Sequence, residues 1–168
     1  MRSVSRNCWR RSSVGTAIAM PERARRVLGV DYGRRRIGLA VGDLRLRIAS
    51  PLDTLKATGR AVDDARIVLD RARAEDVSVL VVGLPLNMDG SVGPQAELTR
   101  TFIAALRAAG AVNVIEADER LSSFAADEAM RAGGLTRRRP KAGRRDRLAA
   151  QAILQGYFDS TACDFPTK

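Results

Sequence analysis

Three carboxylates lie beside apolar segments of the sequence, where a charged side chain is unusual. Asp31 ends an apolar run and is followed by Gly33, Glu119 follows a second apolar run, and Asp146 opens a segment rich in alanine. Charged side chains are almost never fully buried without a partner. A divalent cation shared among the three acids is one such partner. The pattern therefore predicts a candidate metal site formed by Asp31, Glu119 and Asp146.

Each acid also has a structural alternative. Asp31 could form a turn before Gly33, and Asp146 could be an N-cap or first-turn acid of a helix, which the helix dipole favours. Asp118 and Glu119 are adjacent, and adjacent side chains of an extended segment point to opposite faces. Only one of these two carboxylates is therefore expected to face a metal ion.

The positive charge of the chain is concentrated in two segments. The 168 residues include 29 Lys and Arg and 19 Asp and Glu, a net charge of +10. Residues 1–26 carry +6 and residues 137–147 carry another +6, which leaves −2 for the rest. A basic segment beside an acidic site suits a polyphosphate substrate such as nucleic acid. An arginine-rich, solvated loop is the alternative.

Several kinds of site are excluded by composition. The absence of histidine excludes a histidine general base and histidine-ligated zinc. Cys8 and Cys163 lie near opposite ends, so there is no disulfide framework, and a reducing compartment is expected. No stretch approaches the roughly 20 apolar residues of a membrane span. We predict a cytoplasmic protein without a membrane partner, and a monomer or weak homodimer.

The length predicts one domain with short appendages. We place the domain at residues 25–162, an N-terminal extension at 1–24 and a tail at 163–168. The first 20 residues are rich in Arg and Ser, which resembles a transit peptide. Met20 would, however, make a sensible start just before the first strand. A translated upstream region or a disordered tail is therefore favoured over a targeting segment.

Hairpins are predicted in the first part of the domain. Residues 27–32 are typical of a buried strand, and residues 34–36 form a turn. In the next strand, small and bulky residues alternate: Gly38, Ala40 and Gly42 with Ile37, Leu39 and Val41. The strand therefore has one bulky face and one small face. Another element or a substrate backbone could approach closely on the small face. A third strand near 46–55 contains Pro51, which indicates an edge strand or a bulge.

Helices and buried strands alternate after residue 60. The expected helices are 60–74, Pro94 to Gly110, a short one from Ser122 or Ser123 to Gly133–Gly134, and a final one from Asp146 after a basic linker at 135–145. Residues 77–83 and 112–117 are expected strands. The predicted buried faces are Val62, Ala65, Leu69 and Ala72, then Leu98, Phe102, Ala105, Leu106 and Ala109, and finally Asp146, Ala149, Ala150, Ile153 and Tyr157. This order predicts a three-layer α/β domain with a mixed five-stranded sheet.

Four sequence blocks together resemble the YqgF family of RuvX-like proteins. They span residues 29–41, 81–90, 118–123 and 146–155, and they appear in the family order. The resemblance implies an RNase H-like fold in which acids bind Mg²⁺ or Mn²⁺ through hard oxygen ligands. It assigns Asp31 as a bridging ligand and favours Glu119 over Asp118, with Asp146 completing the site. Two ions about 4 Å apart could then act on a phosphodiester.

Basic residues near these acids are candidates for binding the substrate. Arg36 and Arg120 could contact phosphate through the guanidinium group, or pair structurally with Asp118 or Glu116. Arg144 and Arg145, with residues 137–139, are expected to grip the substrate. Few aromatic residues are present, which indicates contacts to the backbone rather than to bases. The loop residues Asn87, Met88 and Asp89 could line the site or form a turn.

The resemblance most directly implies a metal-dependent endonuclease that matures the 5′ end of pre-16S rRNA in ribosome biogenesis. A resolvase-like nuclease acting on branched DNA is the first alternative. Relatives of that kind place an acid at the end of the central strand, where this chain has Gly83, and this departure weakens the DNA alternative. A non-catalytic RNA-binding assembly factor is the second alternative. A nucleotide-binding module is disfavoured because actin-like folds need two such hairpin lobes.

Overall fold

The computed structural model describes residues 26–111, 113–119 and 142–161. Along these residues the strands are β1 (Arg26–Tyr32), β2 (Arg36–Asp43), β3 (Ile48–Lys56), β4 (Val79–Leu84) and β5 (Val114–Asp118). The helices are α1 (Ala61–Ala74), α2 (Pro94–Ala108) and α3 (Ala142–Ser160). None of the described helices is both long enough and apolar enough to cross a bilayer.

The strands form one mixed sheet in the order β3-β2-β1-β4-β5. β1, β2 and β3 are antiparallel neighbours because short turns join them. β4 and β5 run parallel to β1, and their crossover connections contain α1 and α2. The predicted mixed five-stranded sheet is confirmed. The carboxyl ends of β1, β4 and β5 therefore meet at one edge of the sheet, where Asp31 and Glu119 lie.

A hydrophobic core lies on each face of the sheet. On one face α1 and α2 pack against strand residues such as Leu28, Val30 and Leu80. On the other face α3 packs through Ala150, Ile153, Leu154 and Phe158 against Val27, Ala40, Ala49, Val79 and Val81. Complete burial of a large apolar side chain stabilises a fold by about 1.5–3 kcal/mol. The domain thus has the predicted three layers, and among the described helices α3 is the one that packs on the face with the candidate acids.

The antiparallel half follows the sequence pattern closely. Ile37 and Leu39 of β2 are buried against the α1–α2 side, while the small residues of β2 face α3. β3 is an edge strand, as Pro51 indicated, and its pairing with β2 shifts between Leu39 and Ala40. Such a shift is a bulge, which accommodates a proline that cannot donate to the ladder. Both expectations for β3 are confirmed.

Two residues were assigned to the wrong face. Val62 is 52% exposed, because the buried face of α1 is centred on Ala65, Val68 and Ala72. Ala109 is exposed because α2 ends at Ala108 and Ala109 is its C-cap. Both errors lie at helix ends, and both residues line an open groove between α1 and α2.

The final helix begins earlier than expected. The chain is already helical at Ala142, so residues 142–145 are not linker and Asp146 lies in the second turn of α3. The N-cap or first-turn interpretation of Asp146 is therefore wrong. The expected short helix between Ser122 and Gly134, the linker residues 135–141, and the segments 1–24 and 163–168 lie outside the described residues.

Candidate active site

Strand alternation places Asp31 on the α3 side of the sheet. Val30 and Tyr32 point to the α1–α2 side, where they belong to the buried core. Tyr32 stacks on Phe102, with ring centroids 4.0 Å apart, and its hydroxyl donates a 2.9 Å hydrogen bond to the buried Asp64. Because its two neighbours are held on that side, the side chain of Asp31 is directed to the opposite face.

A glycine opposite Asp31 lets α3 approach. Asp31 pairs with Gly38 of β2, and a Cβ built on Gly38 would collide with the main-chain carbonyl of Asp146. One further contact of the same kind occurs at Gly29, where a Cβ would lie 2.9 Å from the carbonyl oxygen of Ala150. The small face of β2 thus receives a helix, and the close approach brings Asp146 next to Asp31.

The same alternation separates Asp118 from Glu119. Ala117 packs in the core on the α3 side, so Asp118 points to the other side and Glu119 returns to the α3 side. The carboxylate of Glu119 lies directly over Gly83 of β4. An acid that follows β5 therefore occupies space above the carboxyl end of β4, a strand that has no acid of its own.

The protonation equilibria show that the three acids share one electrostatic environment. Burial, together with the negative charge of Asp146, raises the pKa of Asp31 to about 6. Burial and the charges of Asp31 and Asp118 raise the pKa of Glu119 to about 7. Both shifts report negative charge in a partly desolvated place. Perturbed carboxylates of this kind are concentrated at functional sites.

The donor chemistry of these acids fits a hard divalent cation, because all ligand atoms would be carboxylate oxygens. A cation would also relieve the mutual repulsion that raises the pKa values of Asp31 and Glu119. Within the described ranges, however, no three Asp, Glu or Cys side chains are arranged closely enough to hold a metal ion. Asp146 is instead engaged by an arginine.

Arg36 forms that ion pair. Its Nε donates to Oδ2 of Asp146 over 2.6 Å, although the two residues are 110 positions apart in the sequence. The alternative partners expected for Arg36 were Asp118 and Glu116. Glu116 is paired with Arg107 at 3.1 Å, and Arg36 with neither, so that alternative is wrong for Arg36. Arg36 therefore contacts Asp146, one of the three candidate metal ligands, directly.

The other predicted substrate-binding residues are only partly described. Arg144 and Arg145 are exposed in the first turn of α3, before Asp146. Arg120 and residues 137–139 lie outside the described residues. Residues 87–91 form a tight turn, in which Gly90 N–H donates to the carbonyl of Asn87 and Ser91 N–H to Asp89 Oδ1. For this loop the turn interpretation is confirmed.

A basic cleft beside the acids was missed by the sequence interpretation. Arg36 was a candidate for binding phosphate, but Arg34 and Arg35 were interpreted only as part of a turn, and Lys56 was not singled out. The structure brings Arg34, Arg35, Arg36 and Lys56 together around one open cleft, which Gly143 of α3 also lines. The run of three arginines was the available signal. Its connection to Lys56 requires the pairing of β2 with β3.

With this geometry in place, the comparison with known proteins is decisive for the family. Residues 25–160 match the family model described as "RuvX: Holliday junction resolvase". This chain belongs to the RuvX family. The resemblance noted in the four sequence blocks is thereby confirmed, and the RuvX match spans all eight described strands and helices.

Curated RuvX relatives cover most of the chain. A protein of Anaeromyxobacter dehalogenans (strain 2CP-C) named "Putative pre-16S rRNA nuclease" is 50% identical over 137 residues, which are 82% of this chain and 98% of the relative. A protein of the same name from Acidiphilium cryptum (strain JF-5) is 40% identical over 143 residues, 85% of this chain and 89% of that relative.

A solved structure shares the fold of this RuvX protein. Thermus thermophilus RuvC in complex with a Holliday junction substrate aligns with a TM-score of 0.50 and 19% identity. The alignment covers 81% of this chain and 94% of the RuvC chain. The RNase H-like fold is thereby confirmed.

Proposed function

We propose that this protein is a divalent-metal-dependent endonuclease that matures the 5′ end of pre-16S rRNA. The observation that carries the proposal is that Asp31 interacts electrostatically with both Asp146 and Glu119 on the α3 face, in a chain closely similar to proteins named as nucleases of pre-16S rRNA. Its substrate is then a ribosomal precursor RNA, and a cytoplasmic location in a bacterium is part of the proposal.

The three carboxylates would hold Mg²⁺ or Mn²⁺. When bound, such an ion supplies Lewis-acid stabilisation of phosphate oxygens and a more acidic water. Hydrolysis of a phosphodiester adds a water oxygen to phosphorus and breaks the bond to one ester oxygen, which leaves with a proton. Asp31, on the rigid end of β1, and Glu119, over Gly83, have raised pKa values and so gain most from a cation.

Arg36 has a positioning role in this proposal. A carboxylate has two oxygens and about four lone-pair sites, so Asp146 can ligate a cation while Arg36 continues to hold Oδ2. Hydrogen-bonded partners of this kind orient metal ligands. The ion pair would keep Asp146 facing β2 rather than solvent.

A second candidate function is the resolution of branched DNA. The observation in its favour is the description of the matching family model as a Holliday junction resolvase. The same acids and cation would serve both reactions, and the two candidates differ only in the nucleic acid.

Cleavage of matched substrates tests the proposal. The purified protein with Mg²⁺ or Mn²⁺ is given a 5′-extended 16S precursor and, separately, a four-way DNA junction. We expect the RNA to be cut, and Asp31→Asn to lower the rate at least 100-fold while RNA binding is retained. Asp70→Asn is the control, because Asp70 is an exposed residue of α1 paired with Arg73.

The other outcomes contradict this choice in different ways. Cutting of the junction alone would support the resolvase candidate. Binding of the precursor without cleavage by either metal would support a non-catalytic assembly factor. Equal cleavage by the Asp31→Asn protein and the wild type would remove Asp31 from the site.

A further inference from the structure

The basic cleft beside the acids has a defined position. It has a volume of about 660 Å³ and lies between the turn after β1, the end of β3 and the start of α3. This is the sheet edge at which Asp31 lies. We define the basic cleft by its cations Arg34, Arg35, Arg36 and Lys56; its other lining residues are Thr54, Leu55, Ala57, Thr58, Gly59 and Gly143.

The cleft collects four cations, three of which have no ion-pair partner among the described residues. No acid is among its lining residues. Within the described part of the chain, Arg34, Arg35 and Lys56 form no ion pair, and Arg36 pairs only with Asp146. The three unpaired cations repel one another, and a concave low-dielectric wall strengthens their field. An anionic ligand with more than one charge would remove this repulsion.

The backbone of the basic cleft is held in place by hydrogen bonds. Gly33 N–H donates to the carbonyl of Arg36, and Ala57 N–H donates to the carbonyl of Arg35, each over 3.0 Å. Thr54 Oγ1 donates to the carbonyl of Gly143 over 2.5 Å and so joins β3 to α3. The cations thus project from a frame that exists before any ligand arrives, which lowers the entropic cost of binding.

Another set of contacts fixes the outer wall. Asp64 is fully buried and accepts hydrogen bonds from the main-chain N–H and the hydroxyl of Thr58, as well as from Tyr32. Thr58 lines the cleft, and Tyr32 follows Asp31. One buried acid therefore anchors both the cleft wall and the strand end that presents the candidate site.

The basic cleft adjoins the candidate acids. Arg36 lines the cleft and also donates to Asp146. Gly143, which also lines the cleft, lies one helical turn before Asp146 in α3. A chain of phosphates lying in the cleft would therefore lead to the acids.

We propose that the basic cleft binds the sugar–phosphate backbone of the RNA strand that is cut, beside the scissile phosphodiester. The lining contains no aromatic side chain, so the contacts are to phosphate and sugar and are independent of base sequence. The identity of the strand rests on the proposed function, but the binding itself does not require cleavage.

Binding in EDTA tests the cleft separately from catalysis. The triple variant Arg34→Gln, Arg35→Gln, Lys56→Gln is compared with wild type on a single-stranded fragment of the precursor at several salt concentrations. For single strands the slope of log K against log salt is about −0.7 per neutralised phosphate. We expect the slope to become shallower by about 2, and Kd at 0.1 M salt to rise at least tenfold.

A matched variant controls for net charge. Arg66→Gln, Arg73→Gln, Arg100→Gln removes the same three charges from exposed positions of α1 and α2, on the other side of the sheet. It should change Kd less than twofold. Equal losses in the two triple variants would overturn the proposal, as would an unchanged salt slope in the cleft variant. Thermal unfolding checks that both variants fold.

Competition experiments distinguish a cleft that binds a nucleic-acid strand from one that binds a small anion. Single strands of different base sequence should compete equally with the labelled fragment, and tripolyphosphate should compete at least 100-fold more weakly. Effective competition by tripolyphosphate would overturn a strand-binding cleft in favour of a small-anion site. If the wild type cleaves RNA while cleft variants bind it normally, only the cleft proposal fails. If the cleft binds RNA but nothing is cut, only the proposed function fails.

Discussion

At the scale of single residues, the candidate acids are defined by the position of glycines. Glu119 lies over Gly83, and Asp146 reaches Asp31 because Gly38 has no side chain. The acids repel one another in a partly buried place, and this repulsion with burial raises the pKa of Asp31 to about 6 and of Glu119 to about 7. The site therefore destabilises the metal-free fold at neutral pH.

This destabilisation has a defined pH window. In the folded protein these two carboxyls keep their protons to higher pH than in the unfolded chain. Between the ordinary carboxyl range near pH 4 and the raised pKa values of about 6 and 7, the native state binds more protons, so stability falls as pH rises. Above pH about 8 the loss is complete.

Asp31→Asn should remove much of that loss. One pKa unit corresponds to about 1.4 kcal/mol, so in EDTA at pH 8 we expect the variant to be more stable than wild type by on the order of 2 kcal/mol. At pH 4 the difference should nearly vanish. Urea unfolding at both pH values measures this. Asp70→Asn should differ from wild type by less than about 0.5 kcal/mol at either pH. If the stability difference between Asp31→Asn and wild type did not change with pH, burial and charge repulsion would not be raising the pKa of Asp31.

At the scale of elements, α3 is the part that completes the site. Of the three described helices, it is the one that packs on this face of the sheet, and its second turn contributes Asp146. Its distance from β2 is set by main-chain contact at Gly38. A small shift of this helix would therefore move one of the three acids while leaving β1 and β5 in place.

Gly38→Ala should separate Asp146 from Asp31. The new methyl group would overlap the carbonyl of Asp146, which belongs to a helix and cannot simply rotate away. Overpacking of this kind costs about 1–3 kcal/mol, and we expect RNA cleavage to fall at least tenfold. Urea unfolding and a cleavage assay measure the two effects.

Gly143, a glycine of α3 itself, is the control. At Gly143 the nearest neighbour of a new Cβ is the Thr54 side chain, 3.7 Å away, an ordinary contact. Alanine also favours helix by about 1 kcal/mol over glycine. Gly143→Ala should therefore unfold at the same or higher urea concentration. Equal destabilisation by the two substitutions would show that the close contact at Gly38 is not what positions α3.

At the scale of the whole molecule, the candidate acids and the cations of the basic cleft lie at the same end of the sheet. The candidate acids lie on the α3 face at the carboxyl ends of β1 and β5, and the basic cleft extends from them toward the edge strand β3. Metal binding would join β1, β5 and α3, which come from distant parts of the chain. Its effect should therefore appear in global stability.

Divalent metal should stabilise the wild-type fold. A ligand at 100 times its Kd adds about 2.7 kcal/mol, so Mn²⁺ should raise the midpoint of thermal unfolding relative to EDTA. Asp31→Asn should lose most of this increment, whereas Asp70→Asn should keep it. Calorimetry at pH 8 with and without Mn²⁺ measures the difference. An equal increment in wild type and Asp31→Asn would place the metal elsewhere.

The sequence by itself determined the local structure and the type of chemistry. Alternation in residues 37–42 and Pro51 in β3 act between neighbours, so the hairpins, the small face and the bulge were predictable. The four blocks were sufficient for the family. The acids of the site were also identifiable from the sequence, because acids at the ends of apolar runs are unusual.

Only the tertiary structure decided how these residues meet. The pairing of Arg36 with Asp146 spans 110 positions, and no local pattern selects such a partner. The same holds for Glu119 over Gly83, and for Lys56 beside the arginine turn. Side-chain periodicity states which face a residue shares with its neighbours along one element. Which element then covers that face depends on the packing of the whole chain. This packing brings the acids and the basic cleft to the same end of the sheet.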